Sequence, residues 1–287
     1  MSMHATRREF VERAATTLSS LVFIAVRRRV PLGAPLTLRV GRVPSSPSDD
    51  QRLGYELGLD EARRAASLFG GVIEDVSLDS AQSPSRGLSA IIGGGDTSAS
   101  NAWIRRAAQD RTLYMNVGCT SDALRGADCS RAAFHVAPSD AMLRDAAALS
   151  HAAGDPMAWS STLARFGADT LNQRFTSKFR RPMTSSAWAS WFAVKILWES
   201  ALRARSGDAE QIASYLTRAT TQFDGHKGSP LSFRAWDHQL RQPLYVVARA
   251  PAKGIVEVPT LSADTPVRDA LDQIGIAKAA TQCTMRP

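Results

Sequence analysis

The chain has 287 residues, a hydrophobic content of 44% and a formal net charge of +8 at pH 7. This length accommodates one large domain or two small lobes, and this hydrophobic content excludes wholesale disorder. Residues 1–34 hold six arginines against two glutamates, which leaves only +4 for residues 35–287. Basic runs interleaved with aromatic residues are absent, so the charge does not indicate a nucleic-acid partner.

Residues 1–34 are predicted to be an export signal. The pair Arg7–Arg8 precedes Phe10, which fits the twin-arginine pattern. The apolar segment 14–26 that follows is shorter than the roughly 20 residues needed to cross a bilayer, and three more arginines come after it. The alternative is a frayed amphipathic helix on a cytosolic protein.

The cleavage site of this signal is poorly defined. Ala34 is small, but Leu32 is bulky and Pro35 lies just beyond. We therefore expect a periplasmic protein that stays tethered to the membrane if the signal is not cleaved.

Strands and helices alternate in the next part of the chain. Strands are predicted at 36–43, 72–78, 88–92 and 113–117. One helix is predicted at 51–69, and Thr97, Ser98 or Ser100 is expected to cap the next. This βαβ series predicts a mostly parallel sheet with helices on its faces.

The pattern then becomes helical. Helices are predicted at 139–151, 163–179, 187–205 and 209–219, and no strand is predicted between 138 and 222. Trp188, Trp191 and Trp198 recur at helical spacing, which predicts a buried stripe. His135 is expected to be a hydrogen-bonded core histidine, and a short helix is predicted at 267–274.

The most specific pattern is FDGHKGSPLSFRAWDHQLRQPLYVV at residues 223–247. It predicts strands at 231–235 and 240–247, which an ordinary surface hairpin would also explain. The sequence of this segment closely resembles the C-terminal signature of type I periplasmic solute-binding proteins. The most similar branch is that of ABC-transporter proteins associated with PQQ-dependent alcohol oxidation. Segments 116–126, 134–140, 171–175 and 187–195 resemble the same family in the same order.

The resemblance implies an α/β fold of the type I periplasmic-binding-protein class, in which two lobes close on a solute. The first lobe is predicted at 35–138, a shortened, mainly helical second lobe with the hairpin at 139–248, and a tail at 249–287. On the order of 100 residues of the second lobe's own sheet are missing, which is comparable to a small domain.

Two glycine-containing loops follow the third and fourth strands, where parallel sheets bind ligands. By resemblance, they hold the polar head of a solute through Gly95, Thr97, Ser98, Gly118 and Thr120. Helix capping and turn formation alone are the alternative. An ionised Asp96 beside these residues would repel an anion and favour an amine or a hydroxyl group.

The other polar residues point to structure. Cys119 and Cys129 are predicted either to form a disulfide or to be two buried thiols, with Cys283 unpaired. A metal pair of His226 and His238 is disfavoured. Charged residues of the signature are expected to form a salt-bridged hairpin: Arg234, Asp237 and Arg241.

The predicted function is an exported substrate-binding component of an ABC importer, whose partners are a small polar solute and a permease in the inner membrane. The solute is expected to be amino-acid-like or related to alcohol catabolism, and no cofactor is implied. The alternative is a truncated sensory or scaffold module that has lost solute binding. An enzyme is disfavoured because GxSxG, HExxH, P-loop and GxGxxG motifs are absent.

Overall fold

The computed structural model describes residues 35–44, 49–249, 254–260 and 265–285. The predicted export signal lies outside these residues. The described residues form one compact unit. Within the described residues, every helix is too short or too polar to span a bilayer.

The first part of the chain builds a five-stranded sheet. Its strands are β1 (Thr37–Arg42), β2 (Val72–Ser77), β3 (Ala90–Gly93), β4 (Leu113–Asn116) and β5 (Ala133–His135). They pair in parallel in the order β2-β1-β3-β4-β5. The accompanying helices are α1 (Asp50–Leu68), α2 (Thr97–Asp110) and α3 (Asp140–Ser150). The predicted α/β class and parallel sheet are therefore confirmed.

The order of the strands creates a switch point. The chain leaves β1 towards the β2 edge and later returns to place β3 on the other side of β1. The loops after β1 and β3 therefore diverge and leave a crevice at the carboxyl end of the sheet, where ligands bind in folds of this kind.

The second part is helical with short strands. Its helices are α4 (Ala168–Phe179), α5 (Ser185–Ala204), α6 (Ala209–Leu216) and α7 (Val267–Leu271). Its strands are β6 (Pro156–Met157), β7 (Phe223–Asp224), β8 (Pro230–Phe233), β9 (Leu240–Arg241), β10 (Leu244–Val247) and β11 (Ile255–Val258). These strands pair only antiparallel, in two sheets of order β11-β10-β6 and β7-β8-β9. The two-residue β6 lies where no strand was predicted.

Helix α5 packs directly against α1. A Cβ atom added at Gly54 would lie 1.9 Å from the Ala187 carbonyl oxygen, so the two backbones meet at a glycine. Trp188, Trp191 and Trp198 are each less than 5% exposed. The predicted tryptophan stripe is therefore confirmed as core.

The signature segment does not form a free surface hairpin. Strand β9 pairs with β8, whereas β10 leaves to pair with β11 and β6. Pro243 separates the two strands, because proline has no N–H to continue a ladder. The His238 carbonyl accepts from the N–H of His135, so the segment docks against β5 at the sheet edge.

The predicted Cys119–Cys129 disulfide is wrong. Cys129 is bonded to Cys283, with Cα atoms 5.5 Å apart, and Cys119 is a buried free thiol. The tail returns to this position, where Arg131 donates to the Met285 carbonyl. Spacing along the chain could not reveal a partner 154 residues away.

Two helix starts also differ from the prediction. Asp96 caps α2, since its Oδ1 accepts from the Ala99 N–H at 2.7 Å. Helix α4 begins only at Ala168, because Phe166 and Gly167 adopt positive φ values of 58° and 81°. A left-handed residue ends or prevents a right-handed helix.

Candidate functional site

The loops after β3 and β4 lie side by side at one rim of the sheet. Gly93 and Asn116 are register partners at the ends of these strands. A Cβ atom at Gly94 would lie 2.4 Å from the Gly118 nitrogen, so the loops touch through their backbones. The structure therefore brings the two predicted ligand loops together, and we call this rim the notch (residues 93–98 and 117–120).

The β3 side of the notch presents polar groups, of which the Thr97 hydroxyl lies 4.0 Å from Cys119 Sγ. Gly95 and Ser98 are exposed and Thr97 is half-buried. The first N–H groups of a helix such as α2 have no acceptor within the helix. The exposed Asp96 side chain is occupied in capping α2, and its charge is stabilised by the helix dipole. This side can donate hydrogen bonds, but it carries a carboxylate beside them.

The Asn116 side chain stabilises the β4 side of the notch through hydrogen bonds within the loop. Its Oδ1 accepts from the N–H groups of Gly118 and Cys119 at 3.2 and 2.9 Å. Its Nδ2 donates to the Cys119 carbonyl at 2.8 Å and to the His135 ring nitrogen Nδ1 at 3.1 Å. The Gly118 N–H is therefore not a free donor. Thr120 remains half-buried beside it.

His135 is a buried, neutral histidine with a structural role. Burial, with the nearby Arg125 charge and His238, holds the pKa of His135 well below its usual range. The neutral ring can then accept from the Asn116 amide. The predicted hydrogen-bonded core histidine is confirmed.

A buried arginine connects the β4 loop to the signature segment. The Arg125 guanidinium donates to the carbonyls of Cys119, Ser121 and Ala137 at 2.8–2.9 Å and to Gln239 Oε1 at 2.8 Å. Burial lowers the pKa of Arg125 to about 10, so the group stays charged at neutral pH. Sequence reasoning missed Arg125 and Gln239, because no local pattern shows that residues 114 positions apart meet.

The predicted salt-bridged hairpin is found only in part, because the main acceptor lies outside the signature. Arg234 and Arg241 each donate through Nε to Asp272 Oδ1 at 2.8 Å, whereas Asp237 lies 3.9 Å from Arg234. Asp272 belongs to the tail. The tail is thus tied to the signature as well as to Cys129.

The switch-point crevice beside the notch is nearly filled. Its cavity measures about 10 Å³, roughly the space of one water molecule. The Gln51 amide occupies it, since a Cβ atom at Gly118 would lie 2.4 Å from Gln51 Nε2. Ser190 Oγ lines the cavity and has no hydrogen-bond partner among the described residues. A solute in this crevice therefore requires movement of Gln51.

The two histidines considered as a metal pair, His226 and His238, lie in the part of the chain that the structure describes. There, no three His, Cys, Asp or Glu side chains are grouped to hold a metal ion. His238 stacks on Phe134 at 4.2 Å, and His226 stacks on Trp191 at 5.6 Å. The two histidines thus pack separately.

The parallel sheet of order β2-β1-β3-β4-β5, compared with solved structures, gives the chain a type I periplasmic-binding-protein fold. No family model and no curated protein matches the chain. Solved structures do match it. A periplasmic binding protein from Burkholderia mallei is 14% identical, with a TM-score of 0.63 over 88% of this chain and 99% of that one.

Two further structures indicate the range of ligands on this fold. A branched-chain amino acid transporter substrate-binding protein from Streptococcus pneumoniae, in complex with isoleucine, is 14% identical, with a TM-score of 0.60 over 77% of this chain and 99% of that one. A solute-binding protein of an ABC transporter from R. palustris, in complex with benzoate, is 12% identical, with a TM-score of 0.62 over 87% and 99%. At such identities the likeness establishes the fold.

Proposed function

We propose that the chain is the exported substrate-binding component of an ABC importer, which captures a small polar solute without catalysis. The observation that carries this proposal is the contact of Gly94 with Gly118, which joins two ligand loops at one rim of a type I periplasmic-binding-protein sheet. The partner is an ABC permease in the inner membrane.

The chemistry of the notch favours a solute with an amine or a hydroxyl group. The hydroxyls of Thr97, Ser98 and Thr120 and the first amides of α2 supply donors, with close approach at Gly95. Asp96 opposes a purely anionic ligand, because like charges repel. An amino-acid-like solute, or a solute of PQQ-dependent alcohol catabolism, meets these requirements.

The compartment follows from the proposed export signal. Cys129 and Cys283 form a disulfide, and structural disulfides persist mainly in oxidising compartments such as the periplasm. The neighbours that bind isoleucine and benzoate are substrate-binding or solute-binding proteins of transporters, which supports the same role here.

A ligand screen tests this proposal. Purified protein is expected to show a thermal shift with an amino acid, a short alcohol or the corresponding acid, because a ligand that binds only the native state stabilises it. Thr97→Ala and Thr120→Val should each weaken the shift, since each removes a ligand hydrogen bond, whereas the exposed Thr170→Ala on α4 should not. A shift that survives both notch variants would contradict the assignment of the site.

The alternative is a truncated sensory or scaffold module without solute binding. It is favoured by the filled crevice of about 10 Å³ and by the antiparallel pairing of all described strands after β5. Hydrogen exchange separates the two functions. A solute that protects both 93–98 and 118–120 supports the receptor, whereas uniform exchange with every solute supports the scaffold.

A further inference from the structure

A second cavity, of about 390 Å³, shares no lining residue with the notch. Leu163, Phe166 and Ile255 give it apolar walls. Tyr245 and Glu257 line it as well. Its volume lies within the range of small-molecule sites, which combine apolar walls with a few polar groups.

Tyr245 and Glu257 act as a pair. They are register partners across the antiparallel strands β10 and β11, so their side chains project from the same face. Neither the Tyr245 hydroxyl nor the Glu257 carboxylate has a hydrogen bond or an ion pair within 4 Å among the residues that the structure describes. Glu257 is half-buried. A half-buried carboxylate without a protein partner is available to accept a hydrogen bond from a ligand.

Lys227 and Arg165 interact electrostatically with Glu257, but neither forms an ion pair with it among the residues that the structure describes. Lys227 is buried, and its Nζ donates to Gln242 Oε1 at 2.7 Å and to the Pro243 carbonyl at 3.0 Å. Burial holds the pKa of Lys227 well below its usual range, which favours the neutral amine. Arg165 is exposed and lies 5.0 Å over the Phe166 ring.

We propose that this cavity binds a small organic amine with an apolar body. The ammonium group lies against the Glu257 carboxylate and the Tyr245 hydroxyl. The apolar body lies against Leu163, Phe166 and Ile255. This inference goes beyond the proposed function, because it does not depend on the notch.

The probe is 2-phenylethylamine, with 2-phenylethanol and phenylacetate as the neutral and anionic analogues. Calorimetric titration of the purified protein is expected to show binding of the amine at least tenfold tighter than of either analogue, because a charge-assisted bond in a cavity is strong. Tighter binding of phenylacetate would overturn the proposal. So would the absence of amine binding at millimolar concentration.

Variants locate the amine. Glu257→Gln is expected to weaken binding of 2-phenylethylamine about tenfold or more, and Tyr245→Phe a few-fold, as for loss of a charged and a neutral hydrogen bond. Glu210→Gln, an exposed glutamate on α6, is the matched control and should change nothing. Leu163→Trp fills the cavity and should abolish binding even if Glu257→Gln does not fold. Unchanged affinity in the Glu257 variant would overturn the proposal.

The pH profile provides a second readout. Burial raises the pKa of Glu257, while Lys227 and Arg165 oppose that shift. Affinity for the amine is therefore expected above this pKa and should be lost as the pH falls through it. His226 and Tyr245 face the same cavity. His226→Asn should leave the loss in place, and its disappearance in that variant would assign the titration to the histidine and contradict the role of Glu257.

The proposed solute site in the notch and the proposed amine site in the second cavity can be tested independently. Thr120→Val removes a notch hydroxyl and should leave binding of 2-phenylethylamine unchanged, whereas Glu257→Gln should leave the thermal shift by a notch solute unchanged. If Thr120→Val weakens amine binding as strongly as Glu257→Gln, the amine occupies the notch and the separate site is refuted.

Discussion

The two loops of the notch occupy the same rim but are built differently. The β3 loop is held mainly by the Asp96 cap and presents exposed or half-buried polar groups. The β4 loop is bonded from within by Asn116 and Arg125 and is connected to the signature at Gln239. The comparison indicates that most ligand donors lie on the β3 side, whereas the β4 side adds the Thr120 hydroxyl to a buried scaffold. Loss of the buried bonds of the β4 side should therefore reduce stability more than substitutions in the β3 loop do.

The largest effect is expected from Arg125→Ala. It leaves three carbonyls and the Gln239 amide without their donor, so we expect a loss of about 3–5 kcal/mol in the free energy of unfolding. Urea unfolding measures this loss. Arg105→Ala on the exposed face of α2 is the control, with an expected change within about 0.5 kcal/mol. Equal changes in the free energy of unfolding for the two variants would contradict the scaffold role of the β4 loop.

The disulfide should have the next largest effect. Cys129→Ser is expected to cost about 2–4 kcal/mol, because it releases a long closed loop, and to increase hydrogen exchange in the tail. Cys283→Ser should reproduce this result, whereas Cys119→Ser should not change tail exchange. Peptide mapping without reduction would contradict the pairing if Cys119 and Cys129 were found cross-linked.

Acid should weaken the scaffold side. Burial lowers the pKa of His238 to about 4, and its ring nitrogen Nδ1 lies 3.0 Å from the Ala133 carbonyl. The folded-state pKa is below the unfolded value, so this stability is present above pH 6.5 and is lost as the pH falls towards 4. The shift corresponds to a loss of about 2 kcal/mol by pH 5. Thermal unfolding across this range measures it.

The histidine assignment has its own control. His238→Asn keeps a residue type that tolerates the positive φ of 51° at this position, and it should flatten the pH dependence. His135 adds a contribution of the same sign, because burial also lowers its pKa. If the variant loses as much stability at low pH as the original protein, the loss is due to His135 or to other groups.

The smallest effects should come from the glycines of the β3 loop. Gly94→Ala forces a methyl group to within 2.4 Å of the Gly118 nitrogen, and we expect a loss of about 1–2 kcal/mol together with weaker solute binding. At Gly95 the nearest atom would be the Ala99 side chain at 3.4 Å, so Gly95→Ala should be nearly neutral for stability. A neutral Gly94→Ala would show that the loops separate easily.

Much of the first part of the fold follows from local patterns. The alternation of apolar strands with amphipathic helices predicted the parallel sheet, and the helix predicted at 51–69 is α1. The same patterns placed Gly95, Thr97, Ser98, Gly118 and Thr120 on two strand ends. They missed Gln51 and Asn116, because only the packed structure shows which side chain enters a crevice or bonds a neighbouring loop.

Long-range pairings were not predictable in the same way. Cys129 meets Cys283, and Arg234 and Arg241 meet Asp272, although nothing in the spacing of these residues distinguishes them from other candidates. The break of the signature at Pro243 also depends on which strands β10 can reach.

The chain by itself determined the class of the fold, the order of its elements and the two strand ends that carry small polar residues, because periodicity and turn chemistry act between close neighbours. Tertiary packing decided the disulfide, the buried bonds of Arg125, the filling of the crevice by Gln51 and the cavity at Glu257. The physical reason is that burial and hydrogen-bond satisfaction depend on every element that packs around a group, and they are settled only when the whole domain closes.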